Sequence, residues 1–158
     1  MRNRAIVIGP DEGRELALGT MRLRFPADEP ETDGRYAISV VEVPADEAGT
    51  TPHTHREHDD ITFVVEGTLA FRAGDDTFEA ERGTLVIVPA GVAHQWWNPR
   101  TEPAAFVNIH VPGFGFEQFI RDLVALSAAG EATPAAMADL GARSDVYFDE
   151  GELRARYP

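Results

Sequence analysis

Three histidines are spaced in a way that could hold a metal ion. His53 and His55 lie two residues apart, so in a strand both imidazoles would point to the same side. His94 comes from a distant strand pair, just after residues 89–91, and could supply a third nitrogen ligand from across a barrel. Asp60 follows His55 by five residues and shares this face only if the loop between them resets the register. Imidazole nitrogens with a carboxylate oxygen suit Fe, Mn, Ni, Cu or Zn rather than Ca or Mg.

Short strands are the elements that would position these residues. Each is rich in β-branched or aromatic residues and bounded by Gly, Pro or Asp-Asp turns, and they occupy residues 36–43, 61–71 with Gly67 inside, 77–80, 85–88 and 105–111. Residues 26–34 precede them as an acidic, turn-rich loop. Several short strands at regular spacing, with no helical period between them, predict an all-β sandwich or barrel.

The chain after Pro112 changes to a helical period. Apolar residues recur there mostly at three- and four-residue steps, which predicts an amphipathic helix through Phe116, Phe119, Ile120, Leu123, Val124 and Leu126. A second short helix is predicted over residues 134–140, ended by Gly141. We expect both helices to pack on the outside of the β unit or at a subunit contact. Residues 1–158 are expected to form one domain, with a barrel core at about 35–112 and a helical tail at about 115–158.

The composition excludes several kinds of chemistry. The 158 residues include no cysteine and no lysine, so disulfides, thiolate nucleophiles, iron–sulfur clusters and Schiff bases are excluded. A net charge of −13 argues against nucleic acid as a partner. No apolar run is long enough to span a membrane, and the apolar stretch before Gly9 is too short for a secretory signal, so a cytoplasmic protein is expected.

Two motifs built from glycine and histidine resemble those of the cupin superfamily. The first family motif is Gly-x5-His-x-His-x(3–4)-Glu-x6-Gly, and the chain matches its second half with His53, His55, Asp60 and Gly67, where aspartate replaces glutamate. The leading glycine departs from the motif, since three residues rather than five separate Gly49 from His53.

The second family motif is matched at every position. It reads Gly-x5-Pro-x-Gly-x2-His-x3-Asn, and the chain has Gly83, Pro89, Gly91, His94 and Asn98. The glycines are expected at sharp turns and Asn98 at a turn cap. Residues 33–36 and 112–117 also look like segments of small bacterial cupins described as quercetin-dioxygenase-like. The resemblance implies a mainly β fold, a single double-stranded β-helix (jelly-roll) barrel with short C-terminal helices.

The resemblance also implies a set of metal ligands. In such relatives the four ligands occupy the positions of His53, His55, Asp60 and His94 here. Aspartate is one methylene shorter than glutamate and reaches roughly 1.5 Å less. Asp60 could therefore bind the metal directly, bind it through water, or leave a three-histidine site with open positions, and we expect one of the first two. Its neighbour Asp59 would face the opposite way.

Other histidines and several aromatic residues lie near the expected site. We expect His58 to face solvent or the mouth of the barrel. His110 could be an acid–base group or a donor to a ligand, although an ordinary polar side chain is the simpler interpretation of both histidines. Of Trp96 and Trp97, adjacent in a strand, one should face inward. With Phe63, Phe71, Phe78 and Phe106, the barrel could hold an aromatic or otherwise apolar molecule, although packing in the core is the simpler interpretation of most of these residues.

A metal with three or four protein ligands keeps positions open for a substrate, which is typical of a catalytic site. The resemblance implies a metal-dependent, dioxygenase-like oxidoreductase acting on a small organic substrate, with Asp60 able to leave the metal and act as a general base. Two alternatives stay open: a non-redox isomerase or polyketide-type cyclase that uses the metal as a Lewis acid, and a non-catalytic ligand-binding protein. A homodimer is expected from the resemblance and from an N-terminal segment able to pair with a neighbouring sheet edge.

Overall fold

Two facing antiparallel sheets form the centre of the computed structural model, which describes residues 4–157. In this part of the chain the first sheet has six strands, β1 (Arg14–Leu18), β2 (Met21–Ala27), β3 (Ala37–Val43), β5 (Asp59–Glu66), β8 (Leu85–Val88) and β10 (Ala104–Val111), in the spatial order β1-β2-β3-β10-β5-β8. The second sheet has five, β4 (His53–Thr54), β6 (Thr68–Ala73), β7 (Asp76–Glu81), β9 (His94–Trp97) and β11 (Tyr147–Phe148), in the order β11-β4-β9-β6-β7. The expected mainly β architecture is confirmed.

Alternation along the strands explains how the two sheets share one core. In β3, Val41 and Val43 are buried, Glu42 between them is exposed, and Val40 on the same face as Glu42 is only half-buried. The ring of Trp96 in β9 lies 5.0 Å from that of Phe106 in β10, so aromatic side chains from both sheets meet between them. Burying each large apolar side chain in this way stabilises the fold by about 1.5–3 kcal/mol. Trp97 is half-buried, which confirms that only one of the two tryptophans faces the core.

The N-terminal part contains more regular structure than the sequence analysis predicts. β1 and β2 form a hairpin, and β2 pairs with β3 of its own chain. The acidic segment 26–34 is not a plain loop, because it contains the one-turn helix α1 (Glu29–Thr32), capped by Asp28 in a reciprocal capping box. Arg14 of β1 then forms ion pairs with Glu31 at 2.8 Å and with Glu117.

The C-terminal tail contains three helices, α2 (Phe116–Ala129), α3 (Pro134–Arg143) and α4 (Glu150–Arg156). Short C-terminal helices were expected, but α3 continues past Gly141, where a stop was predicted. The tail also differs in where it packs, since α2 lines an internal cavity through Phe119, Ile120 and Leu123 rather than covering only the outside. The helices within residues 4–157 are too short and too polar to cross a bilayer.

Strand β11 connects this tail to the second sheet. It pairs with β4, so that Tyr147 lies opposite Thr54 and Phe148 opposite His53. A two-residue strand carries almost no periodic signal, so β11 is not among the strands predicted from the sequence. Its position brings Phe148 opposite His53 of β4 and Asp145 into contact with His55, which follows that strand.

Candidate metal centre

Four side chains from separate elements converge between the sheets. One nitrogen each of His53, His55 and His94 and one carboxylate oxygen of Asp60 all lie within 4.8 Å of one another. His53 and His94 face each other directly across β4 and β9, while Asp60 comes from β5 in the other sheet. The Asp60 Oδ2 lies 3.3 Å from His94 Nε2 and 4.0 Å from His55 Nε2. The shorter aspartate therefore reaches the histidines.

Backbone carbonyls fix the orientation of all three imidazoles. The Nδ1 atom of each ring contacts a carbonyl oxygen: His53 that of Thr51 at 2.8 Å, His55 that of Asp145 at 2.8 Å, and His94 that of Val92 at 3.0 Å. A carbonyl only accepts hydrogen bonds, so Nδ1 carries the proton in each ring. In the neutral ring of His55 the lone pair is then on Nε2, which lies 4.0 Å from Asp60 Oδ2.

The electrostatics of the cluster fit a bound cation. Burial lowers the pKa of His53 well below its usual value and that of His55 to about 4, so both rings are neutral at pH 7. The Nε2 of His55 is buried and has no hydrogen-bond partner within residues 4–157. Without a cation, the lone pairs of neutral imidazoles and an ionised carboxylate that face each other repel. A transition metal between them would accept these lone pairs and remove the repulsion.

Asp60 is held as an anion with one oxygen directed at the histidines. Burial alone would raise the pKa of this carboxyl, but the imidazoles of His110 and His94 outweigh it and hold the pKa well below its usual range. Asn108 Nδ2 donates to the other oxygen, Oδ1. The carboxylate is thus ionised and oriented, as a ligand needs to be, and by the same shift it is a weak base.

His58 does not face solvent, contrary to the expectation, because it is only 1% exposed. Its Nδ1 lies 2.8 Å from a carboxylate oxygen of Asp145, and its Nε2 lies 3.0 Å from His110 Nδ1. His110 Nε2 in turn lies 2.7 Å from Asn108 Oδ1, and Asn108 contacts Asp60. We refer to this continuous set, Asp145–His58–His110–Asn108–Asp60, as the Asp145–Asp60 chain. His110 is therefore connected to the candidate ligand Asp60 through Asn108.

Two members of this chain were missed by the sequence analysis. Asn108 lies on the same face of β10 as His110, so strand parity could have indicated it. Asp145 lies 87 residues after His58 with no motif around it, and only the folded chain brings the two together.

Residues of the second motif behave as predicted. Gly91 N–H donates to the carbonyl of His55 at 2.6 Å, so the turn that leads to His94 also holds the other histidine. Asn98 bonds to backbone groups around its turn, including the carbonyl of Pro44 at 2.8 Å, and lies outside the cluster. Asp59 accepts from Ala90 N at 2.9 Å and also lies outside the cluster.

A cavity of about 440 Å³ opens beside the cluster. His53, Asp60 and His110 form part of its wall, and the rest is mostly apolar: Met21, Leu23, Val41, Trp96, Phe106 and Phe119. Of the four phenylalanines expected around a ligand, Phe106 alone lines this cavity. Phe63 and Phe78 are wrong assignments, since they are 41% and 37% exposed, and Phe71 is buried in the core.

Comparisons with known proteins agree with this architecture. A family model described as a cupin domain matches residues 39–110. An uncharacterized protein of Streptomyces coelicolor is 37% identical over 78 residues, which cover 47% of this chain and 64% of that protein. The match therefore spans less than two thirds of the relative's length.

Solved structures resemble the chain in fold at low identity. KdgF from Halomonas sp. has a TM-score of 0.59 at 16% identity, over 69% of this chain and 94% of that one. A predicted oxalate decarboxylase from Thermotoga maritima has a TM-score of 0.62 at 11% identity, over 68% and 99%. A protein with a double-stranded β-helix domain from Klebsiella pneumoniae has a TM-score of 0.56 at 19% identity, over 70% of this chain and 92% of that one.

Proposed function

Residues 39–110 form a cupin domain, and from this premise we propose that the protein is a metal-dependent enzyme acting on a small, mainly apolar organic molecule. The observation that carries the proposal is the convergence of three imidazole nitrogens and one ionised carboxylate beside an apolar cavity. Residues 1–158 are proposed to work as one domain.

His53, His55, His94 and Asp60 would hold one divalent transition-metal ion, with Fe, Mn, Ni, Cu and Zn as the candidates. When bound, such an ion supplies a Lewis acid for oxygen atoms of a substrate and, if redox-active, a means of reaction with O2. The protein contributes the fixed histidine tautomers and a cavity that excludes water from the apolar part of the substrate.

Asp60 is also the proposed catalytic residue. Its carboxylate lines the cavity and can accept a proton from a substrate group. Because its pKa is depressed, it can do so only from a group that is itself strongly acidified. We therefore propose Asp60 first as a ligand and second as a base.

The cavity lining favours an apolar substrate over a carboxylate or phosphate. Arg156 is the one arginine among the cavity-lining residues of the described chain, and its Nη1 donates to the carbonyl of Gly49 at 3.1 Å. A small dicarboxylate, as in the name of the Thermotoga protein, would find only this one arginine to balance its charge among the described residues of the lining. We propose a dioxygenase-like oxidation as the first reaction class.

The second candidate is a non-redox isomerase or cyclase. It is supported by one proton acceptor and one imidazole at the cavity, since Asp60 and His110 both line it and are connected through Asn108. A third candidate, a ligand-binding protein without catalysis, uses the same cavity and no chemistry.

Metal analysis and reconstitution test the proposal. Protein purified without a histidine tag is analysed for bound metal, then stripped and reloaded separately with Fe²⁺, Mn²⁺ and Zn²⁺. Each form is incubated with quercetin and with simple catechols, with O2 uptake measured by electrode and products by mass spectrometry. Uptake with Fe²⁺ or Mn²⁺ but not Zn²⁺ supports oxidation, and product formation with Zn²⁺ under nitrogen supports the non-redox candidate.

The neighbouring aspartates provide a matched control. Asp60→Asn should lose stoichiometric metal, whereas Asp59→Asn, which changes a residue outside the cluster, should keep it. Wild-type protein that binds none of the three metals would overturn the proposed function.

We further propose a homodimer formed through the outer face of the first sheet. Cross-strand registers place two apolar rows on that face, Ile38–Ile109–Ile61–Ile87 and Val40–Val107–Phe63–Leu85. Leu85 and Ile87 are 55% and 56% exposed. Copies that each carry −13 need an uncharged contact, and a two-fold interface requires one self-complementary patch, which these rows provide.

The N-terminal segment is the second part of this proposal. Ile6 and Val7 belong to no strand and are exposed, so pairing with the edge of a neighbouring sheet stays a prediction.

Light scattering should find a dimer for wild type and for Thr77→Glu in the other sheet, but a monomer for Leu85→Glu. A monomeric wild type would contradict the proposal.

A further inference from the structure

We infer that Asp145, in the turn between α3 and β11, is a positioning residue of the metal centre. It lies outside the matched segment 39–110, so the C-terminal tail would complete a site that the cupin strands leave unsupported. The inference rests on the proposed metal site and adds a residue that no motif indicates.

Asp145 forms hydrogen bonds with four consecutive residues, His55 to His58. Its backbone carbonyl accepts from His55 Nδ1 at 2.8 Å. Its carboxylate accepts from the backbone N–H of Arg56 at 3.1 Å, from that of Glu57 at 2.8 Å, and from His58 Nδ1 at 2.8 Å. These residues form the whole connection from the candidate ligand His55 toward the candidate ligand Asp60.

The chemistry of these contacts requires a carboxylate. Two backbone N–H groups and one imidazole N–H point at the same small volume, and only an acceptor with several lone pairs can satisfy all three. Burial would raise the pKa of Asp145, but the N–H groups of Glu57 and Arg56 lower it overall, so the group is ionised. Asp145 is 4% exposed, so water does not replace it.

The surrounding tail holds Asp145 in place from both sides. On one side, Val146 N–H donates to the carbonyl of Gly141 at 2.9 Å and closes the end of α3. On the other, Asp149 N–H donates to the carbonyl of Pro52 at 2.9 Å beside β4. Asp145 itself has a left-handed φ of 58°, a conformation that aspartate, asparagine and glycine tolerate better than other residues.

The same contacts connect two ligands through one residue. His55 contacts the Asp145 carbonyl directly, and Asp60 is reached from the Asp145 carboxylate along the Asp145–Asp60 chain. Removing the carboxylate would release the 56–58 loop and the first link of that chain together. Partners of metal ligands at this distance typically change metal affinity 10–100-fold when mutated.

Two variants separate the carboxylate from the backbone. Asp145→Gly keeps the carbonyl and the left-handed conformation but removes the carboxylate, and Asp145→Asn keeps one acceptor oxygen and the side-chain size. Asp46→Gly is the matched control, because Asp46 is exposed and has a similar φ of 54°. Zn²⁺ affinity is measured by competition with a chromophoric chelator. We expect about 10–100-fold weaker binding for Asp145→Gly, a smaller loss for Asp145→Asn, and no change for the control.

A second measurement does not depend on the metal. Nitrogen NMR of the histidine rings in metal-free wild type should show protonated Nδ1 at both His55 and His58. In Asp145→Gly the His58 signal should be lost and the His55 signal should broaden, with both retained in Asp46→Gly. If wild type binds none of Fe²⁺, Mn²⁺ and Zn²⁺, the proposed function fails, and this spectrum alone then decides the role of Asp145.

Wild-type Zn²⁺ affinity together with unchanged Nδ1 signals in folded Asp145→Gly would overturn the inference. If that variant does not fold, Asp145→Asn decides instead, and wild-type affinity and spectrum in that variant would equally exclude a positioning role.

Discussion

Lowering the pH from 7 to 5 should destabilise the metal-free protein through its buried histidines. Burial lowers the pKa of His55 to about 4 and that of His110 to about 3, compared with about 6.5 in the unfolded chain. The folded state therefore binds fewer protons than the unfolded state in this window, and the free energy of unfolding falls as the pH drops below about 6.5. Asp60 affects the free energy of unfolding in a lower pH range. Its depressed carboxyl pKa contributes stability that is lost only below about pH 4.

The size of the effect follows from the two pKa differences. At pH 5 an unfolded histidine is almost fully protonated while the folded one stays mostly neutral, and each then lowers the free energy of unfolding by about 2 kcal/mol relative to pH 7. His55 and His110 together give about 4 kcal/mol, a large part of the roughly 5–15 kcal/mol that a domain possesses.

Urea unfolding of chelator-treated protein at pH 7, 6 and 5 measures this loss. The net charge of −13 becomes less negative over the same range, which relieves repulsion and acts in the opposite direction. His55→Gln separates the two effects, because it keeps the general charge change and removes one titrating ring. Its loss should be smaller than the wild-type loss by about 2 kcal/mol, and equal losses in the two proteins would refute the reasoning.

Three further substitutions test other parts of the site. Asn108→Leu removes the hydrogen bonds that Asn108 forms with the buried Asp60 Oδ1 and the buried His110 Nε2 and should cost about 2–4 kcal/mol in urea unfolding; a loss under about 1 kcal/mol would contradict the chain. Ser39→Ala removes a buried hydroxyl that has no partner within residues 4–157 and should stabilise the ligand-free protein by about 1 kcal/mol in thermal unfolding, so a lower Tm would show that the hydroxyl is satisfied. Gly49→Ala would set a Cβ 1.7 Å from the carbonyl oxygen of Trp96 at a φ of +70° and should lower the free energy of unfolding by more than about 3 kcal/mol. Gly74→Ala is the control: at a φ of +58° with nothing within 4 Å, it should lower the free energy of unfolding by only about 1–2 kcal/mol.

Much of the sheet structure could be predicted from the sequence because each strand carries its own signal. Residues 85–88 form β8 as predicted, and residues 36–43 differ from β3 by a single residue at the start. The hairpin of β1 and β2 had a usable signal as well, since Met21, Leu23 and Phe25 alternate with arginines after a short turn at residues 19–20.

The surroundings of the candidate ligands could not be predicted in the same way. The histidines follow from fixed spacings within residues 53–94, but His58 is buried by contacts with Asp145 and His110, which lie far away in the sequence. Exposure of a single polar residue in a loop depends on what the tail places over it. A two-residue strand and one turn determine that placement, and neither has a periodic pattern.

The number of protons in the Asp145–Asp60 chain determines how many of its hydrogen bonds can form at once. Both of its ends are carboxylates that only accept, and its four links need four protons. Asn108 and two neutral imidazoles supply one each, so a neutral chain is one proton short and sets two acceptors against each other at one link. On acidification the two imidazoles can share an added proton without movement of any heavy atom. The link between His58 and His110 is therefore the point where the chain would take up a proton, and that proton would complete an unbroken series of hydrogen bonds to a candidate metal ligand.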